Sequence, residues 1–442
     1  MKSTAIHSLG VLIFICSTYA LRSGEVIPNQ WIVLLHPNTT DDGVSMHLSS
    51  LDLIVSSIEM SPDSPPPPTV QTSTFNFGDQ MKGYVARLPP GTGDAHVQAL
   101  VDGIQSSDQV LHVESDRVVT LSLFDNYDSY DVDEQLWRYY GPWRRLHVMG
   151  HYVAQTGAPW NLVRISHRWY SSFLSSIEYI YPRGAGSGST VYILDTGIDT
   201  NHSELSGRAY WGASFVRGRN GSEVIYKDDH SHGTHVAGIV ASTRYGVAKQ
   251  TKVIAVKVMN WQGTGATSVI LAGLEWIYNN ANMTINNIIN TSLRISSSRA
   301  VDAVATMLIN QKGFVWSSSA GNSASDACTN SPNEVEGVVT VGATDRNDIV
   351  ASYSNQGRCV DIFAPGSDIK STIPVSMGGY GIKSGTSMAA PHVSGLLALA
   401  RTVHPGLSPL ELNSYIKKYS TRNVLRNVNA STPNRFIYTV LA

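Results

Sequence analysis

Apolar positions along this chain follow different periods in different stretches. From residue 153 onward, short unbroken apolar runs recur at 191–194, 253–258, 285–290, 314–317 and 338–341. Their β-branched content suits strands buried on both faces. Stretches of helical period lie between them, for example 266–278. The alternation predicts a three-layer α/β domain around a parallel sheet, and in such sheets chemistry gathers beyond the carboxyl ends of the strands. Residues 21–117 read as a smaller α+β unit. Strand-like runs occupy 31–35, 81–88 and 110–113, and Val97, Leu100, Val101 and Ile104 stand at helical spacing. The run Pro65 to Pro68 must be loop, because proline has no N–H to give to a helix or a ladder. Residues 118–152 carry no period and are rich in Asp, Tyr, Trp and Arg. They read as a linker holding a maturation site, with the pair Arg144-Arg145 either a processing signal or a plain solvated basic pair.

Composition narrows the class. The chain has 442 residues, 42% of them apolar, which is enough for a sizeable core. Lys plus Arg is 32 against 34 Asp plus Glu, so the chain lacks the basic footprint of a nucleic-acid binder. Lys2 precedes an apolar run at 9–16, and Thr18 and Ala20 supply the small residues of a cleavage site. Residues 1–20 therefore read as a secretory signal peptide, too short to span a bilayer. No later stretch is long enough either, so a secreted protein with no membrane partner is expected. Cys16 leaves with the signal, and Cys328 and Cys359 remain. Thiols in a secreted chain are more often paired than free, although sequence does not give their separation in space. Sequons at Asn38, Asn201, Asn220, Asn282, Asn290 and Asn429 suggest a glycoprotein, with Asn290 expected to be buried at a strand end.

Four short segments carry chemistry. Asp195 follows the run 191–194 and precedes Thr196-Gly197. An aspartic-protease reading would need a second such carboxylate to share a proton, and the chain has no other Asp-Thr/Ser-Gly. Asp228-Asp229-His230-Ser231-His232-Gly233-Thr234-His235 is rich in histidine, but its spacing is not that of a zinc helix. His232, before a glycine, is free to reach a neighbour, while His235 reads as a satisfied structural residue. Ser387 lies in Gly385-Thr386-Ser387-Met388-Ala389-Ala390-Pro391, and helical spacing continues through Val393, Leu396, Leu397 and Ala400. Pro391 belongs near a helix start, which puts Ser387 at the N-terminus, where backbone N–H groups and the helix dipole favour a developing anion. The motif is not the Gly-x-Ser-x-Gly elbow of a lipase-like hydrolase. Asn322, in Ser319-Ala320-Gly321-Asn322, ends the run 314–317 and can aim an amide at an oxyanion.

Taken together, Asp195, His232, Asn322 and Ser387 fall in the chain order of the subtilisin-like serine proteases. The segments 191–199, 231–238 and 384–395 resemble the aspartate, histidine and serine motifs of the proteinase K-like branch, and 154–160 resembles the start of its mature enzymes. The resemblance runs from about residue 153 to the end. Residues 21–117 look like the family's inhibitory propeptide, a ferredoxin-like unit, with Val113-Glu114-Ser115-Asp116 similar to its late acidic motif.

The resemblance implies a secreted serine endopeptidase made as a self-processing zymogen, acting on peptides and proteins through an acyl-enzyme, with no cofactor for the chemistry and its own propeptide as inhibitor. A monomer is expected. Ser387 would be the nucleophile, His232 the base and then the acid, Asp195 its orienter, and Asn322 with the Ser387 N–H the oxyanion hole. Substrate would pair with the edges Gly263-Thr264-Gly265 and Ser292-Leu293-Arg294, and Ser319, Ala320 and Gly321 would also contact it. The second edge departs from the family's Ser-Leu-Gly-Gly, since Arg294 and Ile295 replace both glycines. That suggests altered specificity, favouring an acidic substrate group, and leaves a catalytically weakened peptide binder as the alternative. Maturation is expected near Tyr152 or Val153, opening a peptidase domain at 153–442. Cys328 and Cys359 are expected to be bonded to each other. A family calcium site would use the Asp361 carboxylate with the carbonyls of Glu336 and Val338.

Overall fold

The computed structural model describes residues 22–58, 66–123, 146–169, 178–218, 221, 223–283 and 286–441. Residues 1–20, read above as a signal peptide, together with Arg144-Arg145 and the sequon at Asn220, lie outside them.

The N-terminal unit runs β1 (Val26–Leu35), α1 (Asp41–Ser56), β2 (Gln71–Asn76), β3 (Lys82–Arg87), α2 (Asp94–Gln105) and β4 (Val110–Leu121). Its strands are antiparallel in the order β4-β1-β3-β2, the βαββαβ arrangement of ferredoxin-like units. Strand alternation gives the sheet two apolar faces. Val33, Leu35, Tyr84 and Ala86 pack on Leu51 and Val55 of α1 and on Leu100 and Ile104 of α2. Ile32, Leu34, Phe75 and Val85 point the other way, into one core with the helices Thr267–Asn280 and Arg299–Asn310 of the main domain. The unit is thus built to lie on that domain. Sequence patterning does not reveal α1, whose buried stripe is only His47, Leu51 and Val55. Its start is set by Thr40, whose hydroxyl accepts the Gly43 N–H at 3.0 Å, and by Asp41 and Asp42 in the first turn.

The main sheet has the order Thr421–Arg422, Arg435–Phe436, Ile362–Pro365, Val338–Thr344, Val315–Ser319, Asn286–Thr291, Ser189–Asp195, Lys252–Lys257, Ala209–Ser214. All pairs are parallel except the outermost one, at Thr421–Arg422. Val191 and Ile193 face a core shared with the helices His232–Ala241 and Thr386–Val403, while Tyr192 and Leu194 face the helices Thr267–Asn280 and Arg299–Asn310. Helices therefore cover both faces, and the expected three-layer α/β architecture is present. The chain leaves the strand Ser189–Asp195 for one edge and later returns to build outward on its other side, so the order reverses there and opens a crevice at Asp195.

Pro391 sits at the sixth residue of the helix Thr386–Val403, deeper than a proline normally stands. Without its N–H, the Ser387 carbonyl loses its helical partner. The Ser292 hydroxyl donates to that carbonyl at 2.9 Å instead. Cys328 and Cys359 form a disulfide with Cα atoms 5.3 Å apart. On the chain-entropy model, closing a loop of this length stabilises by about 3–4 kcal/mol. Asn290 is buried, donating to Ser292 and accepting from Ser394, whereas Asn38, Asn201, Asn282 and Asn429 are exposed.

Candidate active site

Asp195 ends the central strand and His232 opens the helix His232–Ala241. The imidazole Nδ1 lies 2.8 Å from Asp195 Oδ1 and 2.9 Å from Oδ2. The Thr196 N–H donates to Oδ1 at 2.7 Å and fixes the carboxylate plane. Both residues are fully buried. His232 Nε2 is also buried and has no hydrogen-bond partner among the described residues.

The turn ahead of His232 is held by Asp228. Its Oδ1 accepts from Thr196 Oγ1 at 2.8 Å and from the N–H groups of His230 and Ser231, while Oδ2 accepts from the N–H and hydroxyl of Thr234. Ser231 takes φ +85°, which costs a residue with a Cβ about 1–2 kcal/mol. The Asp228 carboxylate anchors that strained residue and so aims His232. Buried Lys257 donates to Asp229 at 2.8 Å and to the Met259 and Thr196 carbonyls, tying the turn to the next strand. His235 takes a structural place but is satisfied on one nitrogen alone: Nε2 donates to Ile369 O at 2.9 Å, buried Nδ1 has no partner among the described residues, and burial holds its pKa well below the ordinary histidine value.

The active-site helix brings Ser387 to this point. Both the Ser387 hydroxyl and its N–H donate to one carbonyl oxygen, that of Ser122, the N–H from 3.3 Å. Asn322 Nδ2 donates to the same oxygen at 2.5 Å. The amide is held in that sense because Asn322 Oδ1 accepts from the Thr386 N–H at 2.9 Å and from its hydroxyl at 2.7 Å. Gly385 makes room for the carbonyl, since a Cβ there would stand 2.3 Å from Ser122 O. Thr386 lies inside a motif read for its serine alone, and its role emerges only from these contacts.

Ser122 reaches the site because β4 does not stop at residue 113 but runs on to Leu121. Its end is inserted between both expected edges. Thr120, Val119 and Val118 pair with Thr264, Gly265 and Ala266, while Leu121 and Thr120 pair with Leu293 and Arg294 on the other side. The Leu121 N–H donates to Gly263 O and the Ser122 N–H to Ser292 O. Ser319 Oγ donates to Ser122 Oγ at 3.0 Å, and Gly321 N to Thr386 Oγ1. Two carboxylates upstream seat the strand on helix N-termini. Glu114 accepts from Ser298 Oγ and the Arg299 N–H, and Asp116 from the Ser268 N–H and hydroxyl. Burial pushes the Asp116 carboxyl up, against these hydrogen bonds.

The bond in the cleft is Ser122–Leu123, whereas Tyr152 and Val153 lie in a strand paired on both sides, with Leu146–Met149 and Glu178–Pro182. Asp361 does not suit calcium. Its Oδ1 accepts from the Lys417 ammonium at 3.0 Å and its Oδ2 from the Thr340 N–H at 3.0 Å, so a cation would face a lysine charge. Among the described residues, the one grouping of side-chain ligand types holds the bonded Cys328 and Cys359 and does not include Asp361. Chelation is expected to leave the melting temperature unchanged. Replacing Lys417 by Met should lower it by about 1–3 °C, as loss of a half-buried ion pair of up to about 1 kcal/mol implies. Scanning calorimetry with and without chelator checks both.

A family model described as the subtilase family matches residues 186–435. The subtilase-type proteinase psp3 of Schizosaccharomyces pombe is 39% identical over 366 residues, covering 82% of this chain and 71% of its own. Cerevisin of Saccharomyces cerevisiae is 31% identical over 94% of this chain, which spans 64% of cerevisin. A solved cold-adapted subtilisin-like serine proteinase aligns with a TM-score of 0.59 at 38% identity, over 64% of this chain and 99% of that one. No helix among the described residues is long and apolar enough to cross a membrane. With the family model over more than half of its length and relatives of this identity along most of it, the chain belongs to the subtilase family of serine endopeptidases.

Proposed function

We propose that the chain is a secreted, self-processing zymogen whose first substrate is its own Ser122–Leu123 bond. The observation that carries the reading is the Ser122 carbonyl oxygen, bound at once by Ser387 Oγ, the Ser387 N–H and Asn322 Nδ2. The Ser387 N–H and Asn322 Nδ2 polarise that carbonyl toward the tetrahedral oxyanion, which the same two donors would stabilise, while Ser387 Oγ lies beside it as the nucleophile. Ser387 Oγ attacks the Ser122 carbonyl carbon and passes its proton to His232 Nε2, whose lack of a partner leaves it open as the acceptor. Asp195 keeps Nδ1 protonated and stabilises the imidazolium. Collapse breaks the bond to Leu123, whose amine takes the proton from His232. Water then adds to the acyl-serine with His232 again as base, freeing the Ser122 carboxylate. The leader peptide and the disulfide favour an extracellular setting. Intact mass and N-terminal sequencing of the mature protein test the site. A start at Leu123 is expected, and a start at Tyr152 or Val153 with the Ser122–Leu123 bond never cut would refute it.

The weakened-homologue alternative rests on Arg294-Ile295. Ile295 is drawn fully into the core, and Arg294 keeps its backbone register with Thr120, so the edge still pairs. With Leu293 and Ile295 both buried, strand alternation turns Arg294 outward opposite Thr120, two residues upstream of Ser122. The charge therefore bears on the third residue before the scissile bond. An acidic side chain there should be favoured, and Arg294→Gly should reduce that preference by about two- to fivefold. Profiling over a peptide library measures it, and an unchanged profile removes Arg294 from specificity.

A further inference from the structure

Besides the structural His235, the histidine-rich segment holds a second ring that the reaction does not use. His230 stands ahead of the catalytic histidine, with ring centroids 6.3 Å apart. Its main-chain N–H is held by Asp228 at 3.1 Å. Its side chain is not satisfied in the same way, since Nδ1 is buried without a partner among the described residues. Nε2 comes within 3.1 Å of the Cβ position of Gly263, and Leu121 Cδ1 within 2.7 Å of the same point. Gly263, at φ +73°, thus lets the His230 ring and the Leu121 side chain close on one space. Leu121 is the residue just upstream of Ser122 in the cleft. The charges that bear on the ring are His232, Lys383, Asp228 and Asp195.

We propose that His230 determines which side chain is accepted at the second residue upstream of the scissile bond, admitting an apolar group when its imidazole is neutral and a carboxylate when it is protonated. An apolar occupant takes water from the ring and gives nothing back, which favours the neutral form. With Leu121 in place, burial first, and then electrostatic repulsion from His232 and Lys383, bring the pKa to about 4. A carboxylate in that space reverses the balance by pairing with the imidazolium. Acidification through the range of an ordinary histidine should therefore move the subsite from leucine-like toward glutamate-like side chains.

The inference rests on the endopeptidase reading of the same cleft, and its test separates the two. Paired peptides differing only in Leu or Glu at this position are compared by kcat/KM between pH 8 and pH 5, with Gln as the uncharged control. In the wild type the Glu/Leu ratio should rise about tenfold between pH 8 and pH 5, the rise produced when the carboxylate lifts the imidazole pKa by about two units from about 4, within the range of an adjacent opposite charge. The Gln/Leu ratio should move much less. In His230→Asn the Glu/Leu ratio should stay flat. A flat wild-type ratio, or the same rise in His230→Asn, overturns the proposal. A second readout needs no turnover. In the uncut Ser387→Ala chain, Leu121→Glu should raise the His230 pKa by about one unit or more, followed by NMR of labelled histidines. No rise refutes the role of His230, while absence of peptide hydrolysis alongside a clear rise counts only against the proposed reaction.

Discussion

Alanine at Ser387 is expected to lower kcat for peptide hydrolysis by about 10⁶-fold and to leave the Ser122–Leu123 bond uncut. The side chain lost is one oxygen. Its hydrogen-bond partner among the described residues is the Ser122 carbonyl, so the substitution removes the nucleophile and little else. Asn322 and the Ser387 N–H still hold that carbonyl, and the pairing of β4 with both edges is untouched. The variant should therefore accumulate as the full precursor with a melting temperature close to that of uncut wild type. Intact mass gives the processing state, and a slow peptide substrate gives the residual rate. Processing at the wild-type pace would assign maturation to another protease. Undiminished turnover of added peptides would remove Ser387 from the chemistry.

Asp195→Asn should cost about 10⁴-fold in kcat at neutral pH, with the fold intact. The reason lies in how crowded that carboxylate is with donors. The Thr196 N–H requires an oxygen at Oδ1, and His232 Nδ1 lies within 2.9 Å of both positions. An amide keeps its oxygen for Thr196 and turns its NH₂ toward Nδ1. The imidazole then carries its proton on Nε2, where Ser387 needs an acceptor. Stopped or steady-state assays beside thermal unfolding distinguish this from collapse of the site. A loss below about tenfold, with Tm unchanged, would mean that Asp195 does not set the tautomer.

Much of this arrangement is legible in the sequence, and the boundary has a physical basis. Asp195, His232, Asn322 and Ser387 sit where local pattern ends: at a strand's carboxyl end or a helix's first turn. The five apolar runs of the main domain each correspond to a strand, because burial on both faces leaves an unbroken apolar signature. What stayed hidden is set by partners distant in the chain. The end of β4 pairs with Thr264–Ala266 and with Leu293–Ser296, so Val118 and Val119 are both buried and the alternation of a half-exposed strand disappears. Edge strands such as Ala209–Ser214 are short and mixed in polarity. Lys417 lies 56 residues from the carboxylate it neutralises, and nothing local announces the pair. The placement of Ser387 at the helix start was correct on Pro391, but the hydroxyl of Ser292 that makes such a deep proline tolerable was not visible.

The N-terminal sheet, the two cleft edges and the short strand Asn330–Ser331 form one continuous seven-stranded sheet, with β4 common to both parts. Breaking Ser122–Leu123 removes none of its backbone hydrogen bonds. What the cut changes is molecularity. Before it, the strand is tethered, and its effective concentration at the cleft is independent of how much protein is present. Afterwards it is a separate ligand that rebinds according to its own concentration. On the proposed reading, maturation and the onset of activity are thus distinct events. The first is timed by chemistry and the second by dilution, so a densely packed compartment would keep the finished enzyme silent until it is released into a larger volume.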